Sequence, residues 1–239
     1  MADAFLKISG VSKHFGGFTA LADVSLDIAR GERFGLIGPN GSGKTTLINC
    51  VSGLLRNDTG SIVFAGQEVS RLPAYLRVRR GIARSFQIPR PFHTMSVLEN
   101  LLVPAAYVGH LREADAQAEA LEILRRIGLA DKARSQANRL SQVELRKLEL
   151  ARAMAARPKL LISDEAMAGL SGAEVEEMLK ILFALNESGI TIIMIEHIMQ
   201  AVMRFSQRVI CLDAGKIICE GTPATIVHNP DVQKAYLGA

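Results

Sequence analysis

The chain has 239 residues, of which 49% are hydrophobic and 22% are charged, and this is the composition of a globular protein with a large buried core. It has no low-complexity tract, no Gly/Ser linker and no repeat of roughly 20 to 50 residues, which excludes a disordered chain and a solenoid. Its longest apolar runs, such as ITIIMI, are far shorter than the roughly 18 residues that cross a bilayer, and the N-terminus MADAFLKISG does not read as a targeting signal.

The basic residues do not form the long blocks that are typical of nucleic-acid-binding proteins. The net charge is only +4, and few aromatic residues lie near the densest basic group to stack bases. We therefore expect no nucleic-acid partner, and we expect this group to be a solvated face or a partner-facing loop. The group consists of Arg77, Arg79, Arg80, Arg84 and Arg90.

The three cysteines are not spaced as metal ligands or as a close pair. Cys50, Cys211 and Cys219 each lie in an apolar run. We expect them to be small core residues of a protein that works in a reducing compartment.

The first third of the chain predicts strands around a single helix. Apolar residues alternate in VSLDI, and the run FGLIG, after a turn at Gly31, predicts a buried strand. From Lys44 the apolar spacing becomes helical, and a turn near Gly60 then leads into a hairpin, SIVFAGQEV. A strand, a loop and a helix are therefore predicted between residues 33 and 55.

The remainder of the chain predicts a helical insert followed by alternating strands and helices. Helical spacing runs from about Ser96 to Arg157 and stops before Pro158. After it come the strand LLIS, a helix around Met178, the strand ITIIMI, a short helix and the strand RVICL. Alternation of this kind implies a largely parallel sheet covered by helices.

The segment GPNGSGKTT matches the phosphate-binding pattern G-x-x-x-x-G-K-[ST], and it follows an apolar strand and opens a helix, which is the context that the motif requires. Glycines let backbone N–H groups surround phosphate oxygens, and the helix N-terminus adds partial positive charge. Lys44 would reach the β- and γ-phosphates, and Thr45 would bind Mg²⁺. The alternative, a Gly-rich turn without a ligand, fits this context poorly. The predicted nucleotide-binding residues of this loop are Gly38, Pro39, Asn40, Gly41, Ser42, Gly43, Lys44, Thr45 and Thr46.

The apolar strand LLIS ends in two carboxylates, Asp164 and Glu165. Both would emerge at the carboxyl edge of a parallel sheet, where such folds bind their ligands. We expect Asp164 to hold Mg²⁺ through water, and Glu165 to orient or deprotonate the water that attacks the γ-phosphate. A strand ending in Asp-Glu can also simply cap the next helix, but after a P-loop it indicates hydrolysis.

Four features in this order, the P-loop, Gln87 after a hairpin, an LSxxE pattern at residues 140–144 and the Asp-Glu pair, resemble the ATP-binding subunit of an ABC transporter. The resemblance covers essentially the whole chain. Three further segments, HFGG, IARSFQIPRPFHTMSVLENLLV and NPDVQKAYLG, resemble the ATPases that energise uptake of branched-chain and other hydrophobic amino acids.

The fold that the resemblance implies is an α/β P-loop NTPase. It has a mostly parallel central sheet, an N-terminal antiparallel β subdomain and a helical subdomain insert. The implied domain is single and covers 1–239. About 1–95 and 158–239 would form the RecA-like core with the β subdomain, and about 96–157 would form the helical subdomain.

The resemblance also implies a catalytic set. Phe15 matches the aromatic residue that stacks on adenine, for which a core phenylalanine is the alternative. Gln87 matches the glutamine that touches Mg²⁺ and the attacking water. His197 matches the switch histidine that contacts the γ-phosphate, although a lone histidine after a strand is more often structural. Lys44 and Glu165 complete the implied set.

The family's LSGGQ signature loop, which closes over the ATP held by a second subunit, reads LSQVE here. Val143 stands where a glycine is expected, and its stiff branched side chain can hold the nucleotide back. A local alternative exists, because Ser141 and Glu144 are spaced as a capping box at a helix start. The implied contacts to the partner's ATP come from Ser141, Gln142, Val143 and Glu144.

Three further positions depart from the family pattern. Ser171 replaces the usual Asp or Asn of the D-loop, Ala166 replaces the proline after Asp-Glu, and Ile198 follows the switch histidine where Asp is common. None of these changes removes a catalytic group.

The resemblance implies an ATPase that uses Mg²⁺ and powers import of a small solute, with branched-chain or other hydrophobic amino acids favoured. The implied partners are membrane-spanning permease subunits, a second ATPase subunit and, indirectly, a substrate-binding protein, and the implied location is the cytoplasmic face of the cell membrane. Two alternatives stay open. One is a non-transport ATPase of the same fold, such as one that assembles iron-sulfur clusters, and the other is an ATP-binding regulatory subunit with weak hydrolysis, which Val143 would favour.

Overall fold

The computed structural model describes residues 4–109 and 113–237 of the chain. Gly238, in the C-terminal motif NPDVQKAYLG, lies outside the described residues. The strands are β1 (Leu6–Phe15), β2 (Phe18–Ile28), β3 (Arg33–Ile37), β4 (Thr59–Phe64), β5 (Gln67–Glu68), β6 (Ile82–Ser85), β7 (Leu160–Asp164), β8 (Thr191–Ile195), β9 (Arg208–Asp213) and β10 (Lys216–Gly221). The α-helices are α1 (Lys44–Ser52), α2 (Ala74–Arg80), α3 (Val97–Gly109), α4 (Glu113–Ile127), α5 (Gln142–Ala155), α6 (Gly172–Glu187), α7 (Met199–Phe205), α8 (Pro223–Val227) and α9 (Pro230–Leu237).

The elements predicted from the apolar spacing are confirmed. The strand, loop and helix between residues 33 and 55 are β3, the P-loop and α1, and the predicted hairpin is β4 with β5. The segments β7, α6, β8, α7 and β9 follow the helical insert in the predicted order. The elements α2, β6, β10, α8 and α9 were not predicted, since short segments carry too few residues to show a clear period.

The chain forms two compact units. The first, Met1–Arg77 with Thr191–Ala239, contains an antiparallel sheet in the order β2-β1-β4-β5 and four strands of a second sheet in the order β10-β9-β3-β8. In the second sheet β3 runs parallel to both β8 and β9. Parallel strands end at the same edge, so the segments that follow β3 and β8 both emerge there. This arrangement confirms the predicted α/β fold with an N-terminal antiparallel sheet.

The second unit, Val78–Ile190, combines a parallel strand pair with a helical bundle. β6 runs parallel to β7, with Ser85 opposite Ser163. The helices α3, α4 and α5 pack against one another, and α5 also lies against both strands. Every residue of β7 is buried, which explains why this strand reads as a continuous apolar run. The limits of the helical subdomain, 96–157, stay a prediction.

Arg77 corrects the expectation that the densest basic group is solvated. Its side chain is 1% exposed, and its guanidinium donates hydrogen bonds to the carbonyls of Cys50 and Val51 at the end of α1. It also donates to the carbonyls of Ser70 and Leu72. The last carbonyls of a helix have no partner within the helix, and here a buried guanidinium satisfies them. Arg77 is therefore a structural residue of the first unit.

The cysteines and the helix lengths agree with a globular protein. Cys50 and Cys211 are buried, as expected of core residues, whereas Cys219 is half-buried. Within residues 4–109 and 113–237, every helix is too short or too polar to cross a membrane.

Candidate active site

The P-loop links the end of β3 to the start of α1 through glycines that could not be replaced. Gly38 has φ 151°, and a Cβ atom there would lie 2.2 Å from the carbonyl oxygen of Leu212. Gly43 has φ 105°, and a Cβ atom there would lie 2.7 Å from the carbonyl oxygen of Ala20. Both contacts are with backbone, which cannot move aside cheaply. The loop is therefore held tightly at both of its ends.

Lys44 and Ser42 make the interior of the P-loop suitable for an anion. The Lys44 ammonium is buried and donates to the carbonyl oxygens of Gly38 and Pro39 at 2.7 and 3.0 Å. Ser42 Oγ is buried and has no hydrogen-bond partner among the described residues. A buried hydroxyl without a partner is costly, and a phosphate oxygen would satisfy it. These groups lie at the N-terminus of α1, whose dipole also favours negative charge.

The other predicted residues of the loop face outward. Asn40, Gly41 and Thr45 are exposed, while Pro39 and Thr46 are half-buried. Exposure leaves the Thr45 hydroxyl open to a ligand, as its predicted role as a magnesium ligand requires.

His197 and Phe15 lie in the same unit as the P-loop. His197 is exposed and follows β8, at the sheet edge where β3 also ends. Phe15 ends β1 and is 48% exposed, so the alternative that it is a core phenylalanine is wrong. The Lys13 ammonium lies 5.5 Å from the centroid of its ring. An exposed aromatic face of this kind is free to stack on a base.

The second unit brings Glu165 and Gln87 into contact. The Gln87 side-chain amide donates a hydrogen bond to the Glu165 carboxylate. Glu165 directly follows β7 and has φ 49°, a left-handed conformation that is uncommon for any residue other than glycine. Strain of this kind is found at functional sites, where the surrounding structure imposes it. The structure therefore orients Glu165 both through its backbone and through its side chain.

Arg84 forms a buried ion pair with Asp164. Its Nη2 and Nε atoms donate to the same carboxylate oxygen at 2.5 and 3.2 Å, and the two side chains are 7% and 10% exposed. The guanidinium carbon also lies 4.9 Å from the centroid of the Phe86 ring. The expectation that Arg84 is solvated is therefore wrong. The run IARSF could have indicated this pair, because a charged residue in an apolar strand must find a partner.

The signature segment starts a capped helix, as its spacing predicted. Ser141 is the N-cap of α5, its Oγ accepts from the Glu144 amide at 3.3 Å, and the Glu144 carboxylate accepts from the Ser141 amide at 2.8 Å. The hydrogen bond from the Ser141 amide lowers the pKa of Glu144, and Lys132 at 3.2 Å lowers it further. Gln142 is exposed, and Val143 is half-buried in the first turn.

Ser171 caps a helix, a role that was not predicted from the sequence. It is the N-cap of α6, and the Glu174 carboxylate accepts from its amide and from its hydroxyl, both at 2.7 Å. The same spacing of Ser and Glu that indicated the cap of α5 would have indicated this one.

The segment after Gln87 presents apolar side chains to the outside of the second unit, namely Ile88, Phe92 and Met95, and Phe86 just before Gln87 is also exposed. Asn100, which is fully buried, holds the segment through hydrogen bonds with the amide and carbonyl of Phe92. Arg152 of α5 donates to the Arg90 carbonyl at 2.8 Å, and its guanidinium lies 5.2 Å from the centroid of the Phe92 ring. The segment is therefore fixed to the same helix that carries the signature loop.

A phosphate-binding loop at a helix N-terminus, together with a strand that ends in an oriented acidic pair, defines a P-loop nucleotide hydrolase. The family model described as ABC transporter matches residues 21–168, so the chain belongs to the ABC transporter family and is one of its ATP-binding subunits. A model described as branched-chain amino acid ATP-binding cassette transporter matches residues 216–239.

Individual relatives match along the whole chain. The high-affinity branched-chain amino acid transport ATP-binding protein LivG of Escherichia coli (strain K12) is 39% identical over 253 residues, with 100% of this chain and 99% of LivG covered. The crystal structure of MJ1267, an ATP-binding cassette of an ABC transporter in its ADP conformation, matches with a TM-score of 0.91 at 30% identity and covers 100% of both chains. The dimeric cassette MJ0796, in a post-hydrolysis state with ADP and Pi, matches with a TM-score of 0.82 at 27% identity over 91% of this chain and 98% of that chain. The predicted ABC ATPase fold and the ATPase activity are thereby confirmed.

Proposed function

We propose that this chain is the ATPase subunit of an importer for branched-chain or other hydrophobic amino acids. It acts with a second ATPase subunit on the cytoplasmic face of membrane-spanning permease subunits, to which a separate substrate-binding protein delivers the solute. The observation that carries the proposal is the 39% identity to LivG, a branched-chain amino acid transport protein, over the full length of both chains.

The P-loop binds the triphosphate of ATP in this proposal. Its backbone amides and the buried Ser42 hydroxyl meet phosphate oxygens, and the Lys44 ammonium neutralises the β- and γ-phosphates. Phe15 stacks on the adenine, and Lys13 above its ring adds positive charge near the nucleotide.

Thr45, Gln87 and Asp164 would hold Mg²⁺, Asp164 through a water molecule. A hydroxyl, an amide oxygen and a carboxylate are hard oxygen donors, which are the ligand types that Mg²⁺ takes in nucleotide sites. When bound, Mg²⁺ neutralises charge that develops on the phosphate oxygens. The Arg84 guanidinium holds the Asp164 carboxylate in place through their ion pair.

Glu165 accepts a proton from the attacking water, and Gln87 orients both the water and the Glu165 carboxylate to which it is hydrogen-bonded. His197 contacts the γ-phosphate and stabilises the charge of the transition state. Apart from the proton transfer to Glu165, these roles position charge around the phosphoryl group, which is how enzymes of this class accelerate the reaction.

The permease docks on the segment from Ile88 to Asn100. Exposed apolar side chains in this segment form a contact surface, and the first residue beside it is Gln87, so movement of the permease reaches the catalytic glutamine directly. Arg152 connects the same segment to α5. The signature loop at the start of α5 contacts the ATP of the second subunit through Ser141, Gln142, Val143 and Glu144, and the D-loop residue Ser171 faces the same partner.

Reconstitution tests the proposal. The chain would be assembled in proteoliposomes with its permease subunits, its partner ATPase and the substrate-binding protein, and uptake of radiolabelled leucine would be measured. We expect uptake to require MgATP and to stop with Lys44→Ala, while Arg79→Gln, a change on the exposed face of α2, leaves it intact. Uptake by the Lys44→Ala complex at the wild-type rate would refute the assigned role.

A second function, ATP-dependent closure with weak hydrolysis, is favoured by Val143 in the signature loop. Steady-state phosphate release separates the two functions. An assembled complex whose phosphate release stays at the level of Lys44→Ala would indicate the regulatory function.

A further inference from the structure

The C-terminal motif NPDVQKAYLG is not used by any step of the ATPase reaction described above, yet the structure gives a role to its residues. Asn229 caps α9, since its side-chain oxygen accepts from the amides of Asp231 and Val232 at 2.9 and 3.1 Å. Pro230 opens the helix, a position that proline favours. The motif therefore specifies a short, firmly started helix.

The helix is fixed to the body of the first unit. Val232 is 5% exposed, and Gln233 donates from its side chain to the carbonyl oxygen of Val227 at the end of α8 at 3.0 Å. α8 lies against β9 and β10, and α9 lies against β10 and α8. Ile226 of α8 is fully buried. These contacts set the direction in which the last turn of α9 projects.

The last turn of α9 reaches the P-loop. The Tyr236 hydroxyl accepts a hydrogen bond from the amide of Gly38 at 2.8 Å, across 198 positions of sequence. Tyr236 is 41% exposed overall, but desolvation around its hydroxyl raises the pKa of Tyr236 to about 12, so the hydroxyl is neutral at neutral pH. Gly38 is the residue at which the chain leaves the ladder between β3 and β9, after the pairing of Ile37 with Cys211. Its buried amide takes a tyrosine side chain as its partner at that point.

Gly38 connects Tyr236 to the lysine that binds phosphate. The amide of Gly38 donates to Tyr236, and its carbonyl oxygen accepts from Lys44 Nζ at 2.7 Å. A Cβ atom on Gly38 would lie 2.2 Å from the carbonyl oxygen of Leu212 and 2.5 Å from Ser42 Oγ, so both groups pack closely against this glycine. A shift of this residue would move both the Lys44 ammonium and the buried Ser42 hydroxyl.

We infer that Tyr236 is a positioning residue for nucleotide binding, and that α9 is a C-terminal clamp that holds the P-loop in its phosphate-binding conformation. This inference rests on the nucleotide-binding role proposed for the P-loop. The clamp lowers the conformational cost of binding, because the loop is already ordered before the phosphates arrive. The clamp does not touch the reacting atoms, so its contribution is to affinity and not to the chemical step.

Tyr236→Phe tests the inference with the smallest change, since it removes only the hydroxyl. We expect the affinity for ADP and for MgATP, measured by calorimetry well below the melting temperature, to fall about 10-fold, which is about 1.4 kcal/mol. KM for ATP should rise by the same factor while kcat changes little. Tyr75→Phe is the matched control, because Tyr75 lies exposed on α2 of the same unit. It should bind nucleotide like the wild type.

A second measurement follows the hydrogen bond itself. Amide hydrogen exchange at Gly38 should be slow in the wild type and at least 10-fold faster in Tyr236→Phe, with Tyr75→Phe unchanged. If Tyr236→Phe is destabilised to urea but binds nucleotide like the wild type, the contact is merely structural and the inference is overturned. If Lys44→Ala also binds nucleotide like the wild type, the proposed role of the P-loop in nucleotide binding is refuted as well. Loss of affinity in Lys44→Ala but not in Tyr236→Phe overturns the clamp alone.

Discussion

The guanidinium of Arg84 and the carboxylate of Asp164 share a buried ion pair at the ends of two neighbouring parallel strands, β6 and β7. The pair gives the Asp164 carboxylate, which we propose as a magnesium ligand, a counter-ion that the protein itself provides. Removal of the Arg84 guanidinium would leave the buried Asp164 charge without compensation, which costs far more than the loss of a surface ion pair.

Arg84→Gln should therefore destabilise the folded chain. We expect the free energy of unfolding in urea, measured in magnesium-free buffer, to fall by about 3 kcal/mol. Arg79→Gln makes the same chemical change on an exposed site and should alter stability by less than about 0.5 kcal/mol. Equal free energies of unfolding in the two variants would mean that the ion pair between Arg84 and Asp164 does not stabilise the folded chain.

Glu165→Gln should separate binding from hydrolysis. Loss of the proton acceptor should slow phosphate release about 100- to 10,000-fold, whereas nucleotide affinity should stay close to that of the wild type because the P-loop is unchanged. Phosphate release and calorimetric titration with MgATP measure the two effects. Glu68→Gln, an exposed change on β5, is the control. Rapid turnover by Glu165→Gln would exclude Glu165 as the base.

Val143→Gly and Val143→Ala should report whether the signature loop limits hydrolysis at the partner's site. Both variants remove the branched side chain, but only glycine weakens the first turn of α5, by about 1 kcal/mol. If the branch holds the nucleotide back, both should raise ATP turnover in the assembled complex by about 2- to 5-fold, the factor expected for about 0.5 to 1 kcal/mol. A lower ATP turnover in both variants would show that valine at position 143 supports hydrolysis better than glycine or alanine does.

Glu144 should make the stability of the chain depend on pH. Its folded pKa is lowered from the ordinary value of 4.5, so the ionised carboxylate stabilises the folded state at neutral pH. That contribution is lost as the pH falls through the folded pKa, below 4.5.

Glu144→Gln removes this dependence. At neutral pH the variant should lose about 0.5 to 1 kcal/mol of unfolding free energy, as is typical for a negative charge in the first turn of a helix, and the gap to the wild type should close as the pH falls through the folded pKa, below 4.5. Urea unfolding at several pH values gives the comparison. Glu187→Gln, an exposed change at the end of α6, should follow the wild-type curve. A difference in unfolding free energy that is independent of pH would mean that the charge of the Glu144 carboxylate does not stabilise the start of α5.

Local signals predicted much of the fold and most of the candidate site. The P-loop, the acidic end of β7 and the capping box of α5 each occupy a few consecutive residues, and their chemistry depends on spacing alone. These features are therefore visible in a single sequence.

Contacts between distant residues were not predictable in the same way. Arg77 and Arg84 belong to one basic cluster in the sequence, yet both are buried, because each meets carbonyl or carboxylate oxygens brought to it by other elements. Tyr236 reaches Gly38 only because α8 and α9 fold back onto β10. The partners of such side chains are decided by the tertiary fold and not by the period of the local sequence.

The backbone conformation of Glu165 lowers the stability of the folded chain at the position where we propose the catalytic base. A left-handed conformation costs a glutamate about 1 to 2 kcal/mol that asparagine or glycine would largely avoid. Replacement of Glu165 by asparagine or glycine would relieve this backbone strain, but it would also remove the carboxylate that we propose as the base. Stability and the proposed chemistry therefore make opposite demands on this one residue.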